Sequence, residues 1–599
     1  MMKLSRLYSN KLSVLGAIDF ASGFNVVRAE IRLPENKAKD THNLGKTTLG
    51  RLIDFCLLSK RDERFFLFKH LSRFEDFAFF IEIELADGFY VTVRRDVREH
   101  SKINIKRHPA RGQEFIDLPD EGWDHFQVPF ERARVILDGI LDLTALKPWG
   151  YRKGLGYLVR TQEDYLDVFQ LGKFQAAHIE WKPYVAHILG FDGGLIQTLY
   201  EKENDLERLE QTAETVRKEL GGTVEDLSKV EGILQIKQKE AATKAELLEA
   251  FDFRSQDKKE TKEIVDKLDS RIAQLNQERY TLNQSKKRVQ SALGDDQILF
   301  RPSAAKELFD EAGVLFPAQL TKDFDQLISF NKAITDERRG YLAEELQDLN
   351  KAITTVGTEL NDLGKRRSNA LAFLSEQDIF VKYRAVSDEL VTLKADILSL
   401  ERQRVFLRRL QDLRSEIRTL EEEKTHLQSG IEENVEKQNS EKTSFFNTVR
   451  LYFNEIVVAV LNRQALISVS PNSLGHLQFE AEILDDGGHA TSADSGHTYK
   501  KLLCIAFDMA VLRAHAVDAY PRFTFHDGAF ESLDDRKKLN LLNVIREYSS
   551  YGLQQIITVI DSDLPMAAGD GGKIFTDEEV ILELHDEGED GRLFKMAAW

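Results

Sequence analysis

The chain has 599 residues, of which 42% are hydrophobic and 30% are charged, and its formal net charge is −18. No stretch reaches the ~20 consecutive apolar residues that span a bilayer, so the composition excludes an integral membrane protein, and it also excludes wholesale disorder. Asn10, Lys11 and Asp19 interrupt the apolar run near the N-terminus, so we expect no secretory signal and a cytoplasmic location. An acidic chain binds nucleic acid only through a local basic surface.

The first motif lies between a predicted strand at 24–31 and a predicted helix at 49–58. It reads Asp40-Thr41-His42-Asn43-Leu44-Gly45-Lys46-Thr47-Thr48. In a phosphate-binding loop, amides at the start of a helix surround the phosphates, a lysine neutralises them and the next hydroxyl binds Mg²⁺. Lys46 and Thr47 suit these two roles. Asp40 stands where such loops usually have their first glycine, so an ordinary helix-capping turn is the alternative.

Residues 77–85 and 89–93 alternate apolar and polar side chains around Asp87-Gly88, which predicts a β-hairpin. Basic residues lie on this hairpin or just after it, namely Arg94, Arg95, Lys102, Lys106 and Arg107. We expect them to form a stripe that contacts DNA phosphates. A solvated basic surface without a ligand is the alternative.

Residues 201–450 differ in kind from both flanks. They contain two of the 11 prolines, none of the four tryptophans and no cysteine. Apolar residues recur at spacings of three and four, as at Leu342, Leu346 and Leu349, which indicates coiled-coil seams. Pro302 and Pro317 lie near the middle, so we predict a long helix that reverses near 300–320 and returns antiparallel. A globular helical bundle is the alternative.

An antiparallel insertion begins and ends at the same place in space. The segments that precede and follow it must therefore meet. The predicted fold class is therefore an α/β head built from N- and C-terminal segments, with a long antiparallel coiled-coil insertion. The predicted halves of the head are 1–195 and 450–599. Between them we predict an outgoing arm at 196–298, a coil apex at 299–325 and a returning arm at 326–449.

The C-terminal flank carries the second motif. Short strands are predicted at 522–526 and 555–560, with a helix at 535–548 between them. Asp527 ends the first of these strands, and Glu531 follows shortly after. An acid at the carboxyl edge of a strand beside a phosphate loop can bind the Mg²⁺ shell. An N-cap for the following helix is the competing interpretation of Asp527.

The order of the parts, a phosphate loop, a long antiparallel coil and then the remaining motifs, resembles the SMC, RecN and zinc-hook repair ATPases with their ABC-type heads. Ser495-Gly496, before a predicted helix at 499–514, is similar to the signature motif of these heads. Asp527 and Asp534 are similarly spaced to the Walker B and D-loop aspartates. Gln162 resembles the Q-loop glutamine. The resemblance spans nearly the whole chain.

This resemblance implies that the chain binds and hydrolyses ATP with Mg²⁺, and that two copies pair through their heads as a homodimer that binds double-stranded DNA. The residues it assigns to the nucleotide are Asn43, Gly45, Lys46, Thr47, Thr48, Gln162, Ser495, Gly496 and Asp534, and those it assigns to Mg²⁺ are Thr47, Gln162 and Asp527. Ser495 would contact the ATP that the other copy holds.

The chain also departs from the family pattern. Gly528 stands where these ATPases place a catalytic glutamate after Asp527, so the predicted catalytic residues are Asp527 and Glu531, with Glu531 as general base. A cap for the next helix is the alternative role of Glu531. His497 replaces the second glycine of the signature, and 561–563 contain no switch histidine. Slow or conditional hydrolysis is therefore expected.

With these departures, the chain is most similar to the divergent bacterial SMC-like ATPases of anti-phage defence systems of the Lamassu and ABC-three-component types. That similarity implies a sensor or clamp core that controls a partner nuclease and works with an accessory subunit. A RecN-like ATPase of host DNA repair and a non-catalytic coiled-coil scaffold with a degenerate head are the alternatives. Since 201–450 has no cysteine, we predict no zinc hook at the coil apex.

Overall fold

The computed structural model describes residues 2–33, 36, 44–174, 177–220, 226–250, 256–294, 318–372, 379–485, 487–489, 497–531, 533–565 and 574–597. The predicted site residues Asn43, Ser495 and Gly496 lie outside these ranges, as does most of the predicted apex. The chain divides into two compact units, Met1–Glu203 with Glu422–Trp599, and Asn204–Glu421. We call the first unit the head and the second the arm unit.

The strands of the head are β1 (Met2–Ser9), β2 (Ile18–Asp19), β3 (Phe24–Glu30), β4 (Ala78–Leu85), β5 (Tyr90–Asp96), β6 (Lys102–His108), β7 (His125–Pro129), β8 (Val159–Arg160), β9 (Ala465–Pro471), β10 (Leu477–Ile483), β11 (Phe523–His526), β12 (Gln554–Ile560) and β13 (Val580–His585). One sheet is antiparallel, in the order β2-β1-β4-β5-β6-β7. A second sheet is parallel, in the order β13-β3-β12-β11-β8. β9 and β10 form a separate antiparallel pair.

The helices are α1 (Lys46–Cys56), α2 (Phe66–Lys69), α3 (Leu71–Phe74), α4 (Phe130–Leu141), α5 (Tyr151–Leu158), α6 (His178–Ile188), α7 (Gly193–Leu220), α8 (Leu227–Glu249), α9 (Gln256–Gly294), α10 (Ala318–Ala372), α11 (Ile379–Ser440), α12 (Phe445–Leu461), α13 (His497–Ala514) and α14 (Asp535–Ser550). None of the described helices combines the length and the apolar character that crossing a bilayer requires. Cys56 on α1 and Cys504 on α13 are buried. Burial raises the pKa of the Cys504 thiol to about 12, so Cys504 packs as an unreactive side chain.

The predicted β-hairpin is confirmed as β4 and β5. In the turn, the Asp87 carboxylate accepts a hydrogen bond from the Phe89 amide at 3.0 Å. β4 is buried on both faces, because one face joins the main apolar core and the other carries Phe80, which stacks on Tyr8 of β1 with ring centres 4.7 Å apart.

The parallel sheet is built from both ends of the chain. β3, from the N-terminal segment, lies between β12 and β13 of the C-terminal segment, while β11 lies between β12 and the N-terminal β8. Neither segment can complete this sheet alone, because its hydrogen bonds cross between the two segments. The predicted fold class, an α/β head built from N- and C-terminal segments, is thereby confirmed.

Ion pairs show how the helices of the arm unit run. They join Glu231 with Arg408, Lys237 with Asp396, Lys244 with Glu389 and Arg271 with Glu359. As the residue numbers rise along α8 and then α9, the numbers of their partners on α11 and then α10 fall. This is the predicted antiparallel arrangement. Apolar clusters lie between the same helices, and Val230 of α8 and Leu410 of α11 belong to one of them. Leu346 and Leu349, in a predicted seam, are half-buried between exposed neighbours.

The boundaries between head and arms differ from those predicted at 195/196 and 449/450. Residues up to Glu203 and from Glu422 onward belong to the head. Ile196, Ile431 and Val435 are part of its main apolar core. Seam spacing does not reveal this, because a helix keeps the same apolar stripe whether it packs on another arm or on a head.

Candidate functional site

The candidate site lies at the carboxyl edge of the parallel sheet. β3, β8, β11 and β12 all end at this edge, because they are parallel neighbours. In open α/β sheets, ligands bind outside the carboxyl ends of the strands. The segments that follow β3, β8 and β11 carry Lys46, Gln162 and Asp527, so the sheet collects three motifs that are far apart in sequence.

Helix α1 begins at Lys46, three residues earlier than predicted, so Lys46, Thr47 and the half-buried Thr48 form its first turn. Gly45 is the N-cap, with a φ of 106°, and as a glycine it has no side chain to accept from the first amides of the helix. A Cβ atom at Gly45 would lie 2.6 Å from Cβ of Leu593, so only glycine fits there. The first amides of a helix have no intrahelical acceptor and attract anions. Beside Lys46 they form a site suited to phosphate.

Helix α1 packs directly against β11, since a Cβ atom at Gly50 would lie 2.7 Å from Cε1 of Phe525. This close approach brings Thr47 to Asp527. The Thr47 hydroxyl donates to Oδ2 of Asp527 at 2.6 Å, and the Thr558 hydroxyl donates to Oδ1 at 2.6 Å. Asp527 is fully buried. Its carboxylate binds hydroxyl groups rather than helix amides, so the interpretation of Asp527 as a helix N-cap is wrong.

The donor set of Thr47 and Asp527 fits Mg²⁺, because hydroxyl and carboxylate oxygens are the hard ligands that this ion takes. Within the described part of the chain, no lysine or arginine forms an ion pair with Asp527, which leaves its buried charge available to a cation. No three His, Cys, Asp or Glu side chains of the described ranges converge on one metal position. An ion held by Thr47 and Asp527 would therefore need water and phosphate oxygens as further ligands.

Glu531 reaches the same edge from the turn that follows β11. Its Oε1 accepts from Nε2 of Gln162 at 2.9 Å, and its Oε2 accepts from Nζ of Lys501 at 2.7 Å. Gly528 has a φ of 65°, and a Cβ atom there would lie 2.3 Å from Oε1 of Glu531. The Glu531 carboxylate therefore occupies the volume that a side chain at position 528 would enter.

Two further acids lie near Glu531. Asp534 is the N-cap of α14, and it accepts from the Lys537 amide at 3.0 Å and pairs with its ammonium at 2.7 Å. Hydrogen bonds from Lys537 lower the pKa of Asp534. The capping role considered for Glu531 thus belongs to Asp534. Burial raises the pKa of Asp563, the Glu531 carboxylate raises this pKa further, and the Lys46 ammonium lowers it. These three groups therefore share one electrostatic environment.

Sequence reasoning missed two residues of this site, Thr558 and Lys501. Thr558 interrupts the apolar run of β12, and a polar residue within a buried strand is a signal that points to a partner. Lys501 offers no such signal, because lysines near the start of a helix are typical of a solvated surface.

A buried ion pair links this sheet edge to α13. Arg160 at the end of β8 binds Asp508 on α13 through two hydrogen bonds of 2.6 and 2.9 Å. Its other N–H groups donate to three backbone carbonyls within 164–168, which fixes the segment after Gln162. Nε2 of His526 lies 3.2 Å from the same carboxylate. Burial disfavours the charge of Arg160, but Asp508 raises its pKa above the ordinary value.

The prediction that Arg95 contacts DNA is wrong. Arg95 on β5 is 1% exposed. Its guanidinium donates to the carbonyl oxygens of Phe55 at 2.6 Å and Ser59 at 2.8 Å, and it lies 4.0 Å from the centre of the Phe55 ring. Burial lowers the pKa of Arg95 to about 10, which leaves it charged at neutral pH. It therefore stabilises the C-terminal end of α1, where the partial negative charge of the last carbonyls favours a cation.

Replacing Arg95 by methionine is expected to lower the free energy of unfolding of the head by about 2–4 kcal/mol, because the carbonyl oxygens of Ser59 and His100 lose their donor and a buried carbonyl without a donor costs about 1–3 kcal/mol. Lys102→Met is the matched control, since Lys102 on β6 is exposed. Thermal unfolding compares the two variants. Equal midpoints would contradict the capping role of Arg95.

The other four predicted DNA-binding residues each have an acidic neighbour. The pairs are Arg94 with Asp96, Lys102 with Glu99, Lys106 with Asp124 and Arg107 with Asp87. These acids offset the positive charge of β5 and β6. These two strands therefore present less net positive charge than their basic residues suggest.

Comparisons with known proteins give a partial family match and distant structural neighbours. A family model described as "Uncharacterised protein conserved in bacteria (DUF2326)" matches residues 451–598. A comparison with curated proteins finds no match. The Smc head domain with a coiled coil and joint from Pyrococcus yayanosii is 14% identical, with a TM-score of 0.34 over 94% of this chain and 92% of that chain.

A second solved structure that the chain resembles is the Smc head domain with an extended coiled coil bound to the C-terminal domain of ScpA, from Pyrococcus furiosus. It is 12% identical, with a TM-score of 0.33 over 94% of this chain and 91% of that chain. Because these scores are low, the interpretation of the site rests on the geometry of this chain alone.

Proposed function

We propose that this chain is an SMC-like ATPase whose head binds ATP with Mg²⁺ and hydrolyses it. The observation that carries the proposal is the hydrogen bond between Thr47 and Asp527, which are 480 positions apart. It joins the first turn of α1 to the carboxyl end of β11, as a phosphate loop and a Mg²⁺-binding acid require. Lys46 begins the same helix, where its ammonium would neutralise phosphate charge.

The roles of the residues follow from their positions. ATP with Mg²⁺ supplies the phosphoryl group and the cation that polarises it. The first amides of α1 and Lys46 would bind phosphate oxygens, and Thr47 and Asp527 would hold the ion. Glu531 would accept a proton from the attacking water at a carboxylate oxygen, since a positioned carboxylate can serve as general base. Gln162 would orient that carboxylate through its hydrogen bond to Oε1.

The position of Glu531 weakens the alternative of a non-catalytic scaffold. Gly528 favours that alternative, because it stands where these ATPases have their catalytic glutamate. The carboxylate of Glu531 fills the space beside Gly528, so an acid is still present at this point of the site.

The remaining parts of the hypothesis rest on the resemblance alone. Pairing of two heads, with Ser495 of the partner subunit completing each site, falls on a residue outside the described ranges. The buried Arg95 is not available to DNA, and the other basic residues of β5 and β6 are paired with acids, so these strands do not favour DNA binding. The accessory subunit, the partner nuclease and a role in defence rather than repair follow from the resemblance to the SMC-like ATPases of defence systems.

The proposed function is tested by the affinity of the full chain for Mg-ATP, measured by calorimetry or with a fluorescent analogue. Lys46→Ala is expected to weaken binding about 10- to 100-fold, since hydrogen bonds to charged groups contribute about 1.5–3 kcal/mol. Lys60→Ala, an exposed lysine beyond the end of α1, is the matched control and should bind like the wild type. Equal affinity of the Lys46→Ala variant and the wild type would overturn the proposal.

A further inference from the structure

Lys501 on α13 is a buried lysine, 4% exposed, inside the candidate site. Its ammonium donates to Oε2 of Glu531 at 2.7 Å and to the carbonyl oxygen of Gly528 at 2.8 Å, and it lies 4.8 Å from the centre of the Tyr165 ring. Burying an ammonium group is costly unless an acid pairs with it. Glu531 is that acid, so the two side chains form one unit.

The Gly528 carbonyl holds this unit in place. Its oxygen accepts both the Lys501 ammonium and the backbone N–H of Glu531, the latter at 3.2 Å. The Gly528 amide donates to the Thr558 hydroxyl at 2.9 Å, and that hydroxyl donates to Asp527. Lys501 is therefore connected by a short chain of hydrogen bonds to the acid that would hold Mg²⁺.

The Glu531 carboxylate depends on such fixation. A glutamate side chain has several rotatable bonds and loses rotamer entropy when it is held in one geometry. The side chain of Glu531 is 30% exposed, so packing alone does not fix it. Lys501 on Oε2 and Gln162 on Oε1 together keep the carboxylate beside Gly528. Each oxygen retains a second lone pair, which is available to a water molecule.

We propose that Lys501 is a positioning residue for ATP hydrolysis, which keeps the Glu531 carboxylate in the volume that a side chain at position 528 would otherwise enter. This inference rests on the proposed function and adds to it the residue that allows a glutamate three positions further along the chain to act at the site. Lys501 works through Glu531.

The test is a double-mutant cycle in the full chain with Lys501→Met, Glu531→Gln and the double variant. Lys501→Met is expected to lower kcat about 10- to 100-fold, because a misplaced catalytic group costs rate, while ATP affinity stays within about twofold of the wild type. In the Glu531→Gln background the same change should have no further effect, because the lysine acts through that carboxylate. Lys501→Arg, which retains a charged donor, should recover part of the rate.

Lys500→Met is the matched control, because Lys500 is the preceding residue of α13 and forms no hydrogen bond with Glu531 in the described structure. It should retain the wild-type kcat. Thermal unfolding and ATP affinity identify a purely structural role: if Lys501→Met lowers both the midpoint and the affinity, and Lys501→Arg recovers no rate, the positioning role is overturned.

The remaining outcomes separate this inference from the proposed function. If the wild type hydrolyses ATP and Lys501→Met is equally fast, or if the two substitutions lower kcat additively, the positioning role is wrong and the ATPase stands. If the wild type hydrolyses no more ATP than Lys46→Ala, the proposed function fails, and the role of Lys501 fails with it.

Discussion

Replacing Glu531 by glutamine is expected to lower the rate of ATP hydrolysis about 10²- to 10⁴-fold, the range that general acid–base groups contribute, while Mg-ATP affinity stays within about threefold. Glutamine has nearly the same size and still offers an oxygen to a donor, but it cannot take a proton from water. The Glu531 carboxylate occupies the volume beside Gly528, at the carboxyl edge of the sheet. Steady-state hydrolysis and equilibrium nucleotide binding together measure the effect.

Two further variants sharpen this experiment. Asp535→Asn removes the same charge from an exposed position on α14 and should leave hydrolysis unchanged. Gly528→Ala places a methyl group 2.3 Å from Oε1 of Glu531, so it should displace the carboxylate and reproduce part of the loss. If Glu531→Gln hydrolyses ATP at the wild-type rate, Glu531 has no part in the proton transfer, whereas the assignment of Lys46 and Thr47 is unaffected.

The second large effect is expected on stability. Asp508→Ala should lower the free energy of unfolding of the head by about 3–5 kcal/mol, because it leaves the Arg160 guanidinium charged and unpaired in the interior. The side chains of Arg160 and Asp508 are both 0% exposed, so water cannot replace the lost carboxylate. His526 loses the same partner.

Urea unfolding followed by tryptophan fluorescence measures this effect in the full chain. All four tryptophans belong to the head in sequence, whereas residues 201–450 contain none, so the signal reports on the unit that carries the substitution. Asp76→Ala is the control, because the Asp76 side chain is 65% exposed and its ion pair with Arg98 should contribute less than about 1 kcal/mol. A midpoint for Asp508→Ala no lower than that of Asp76→Ala would contradict the role of the buried pair.

Much of the fold was predictable because burial repeats along the sequence with the period of the local structure. Alternation over 77–93 predicted the hairpin of β4 and β5, and spacings of three and four predicted the antiparallel helices of the arm unit. The meeting of Thr47 with Asp527 was also predictable, since a long antiparallel insertion returns the chain to its starting point. Arg95 shares a strand face with Val91 and Val93, so alternation alone places it on the buried side.

The sequence by itself thus determined the class of fold, the course of the insertion and the elements that carry Lys46 and Asp527, because local periodicity selects which face of each element is buried. Only the tertiary structure decided the partners of the buried charges. Lys501 meets Glu531, and Arg160 meets Asp508, across elements that no local pattern relates. A charge inside a protein requires a partner within hydrogen-bond distance, and packing between distant elements determines which residue supplies it.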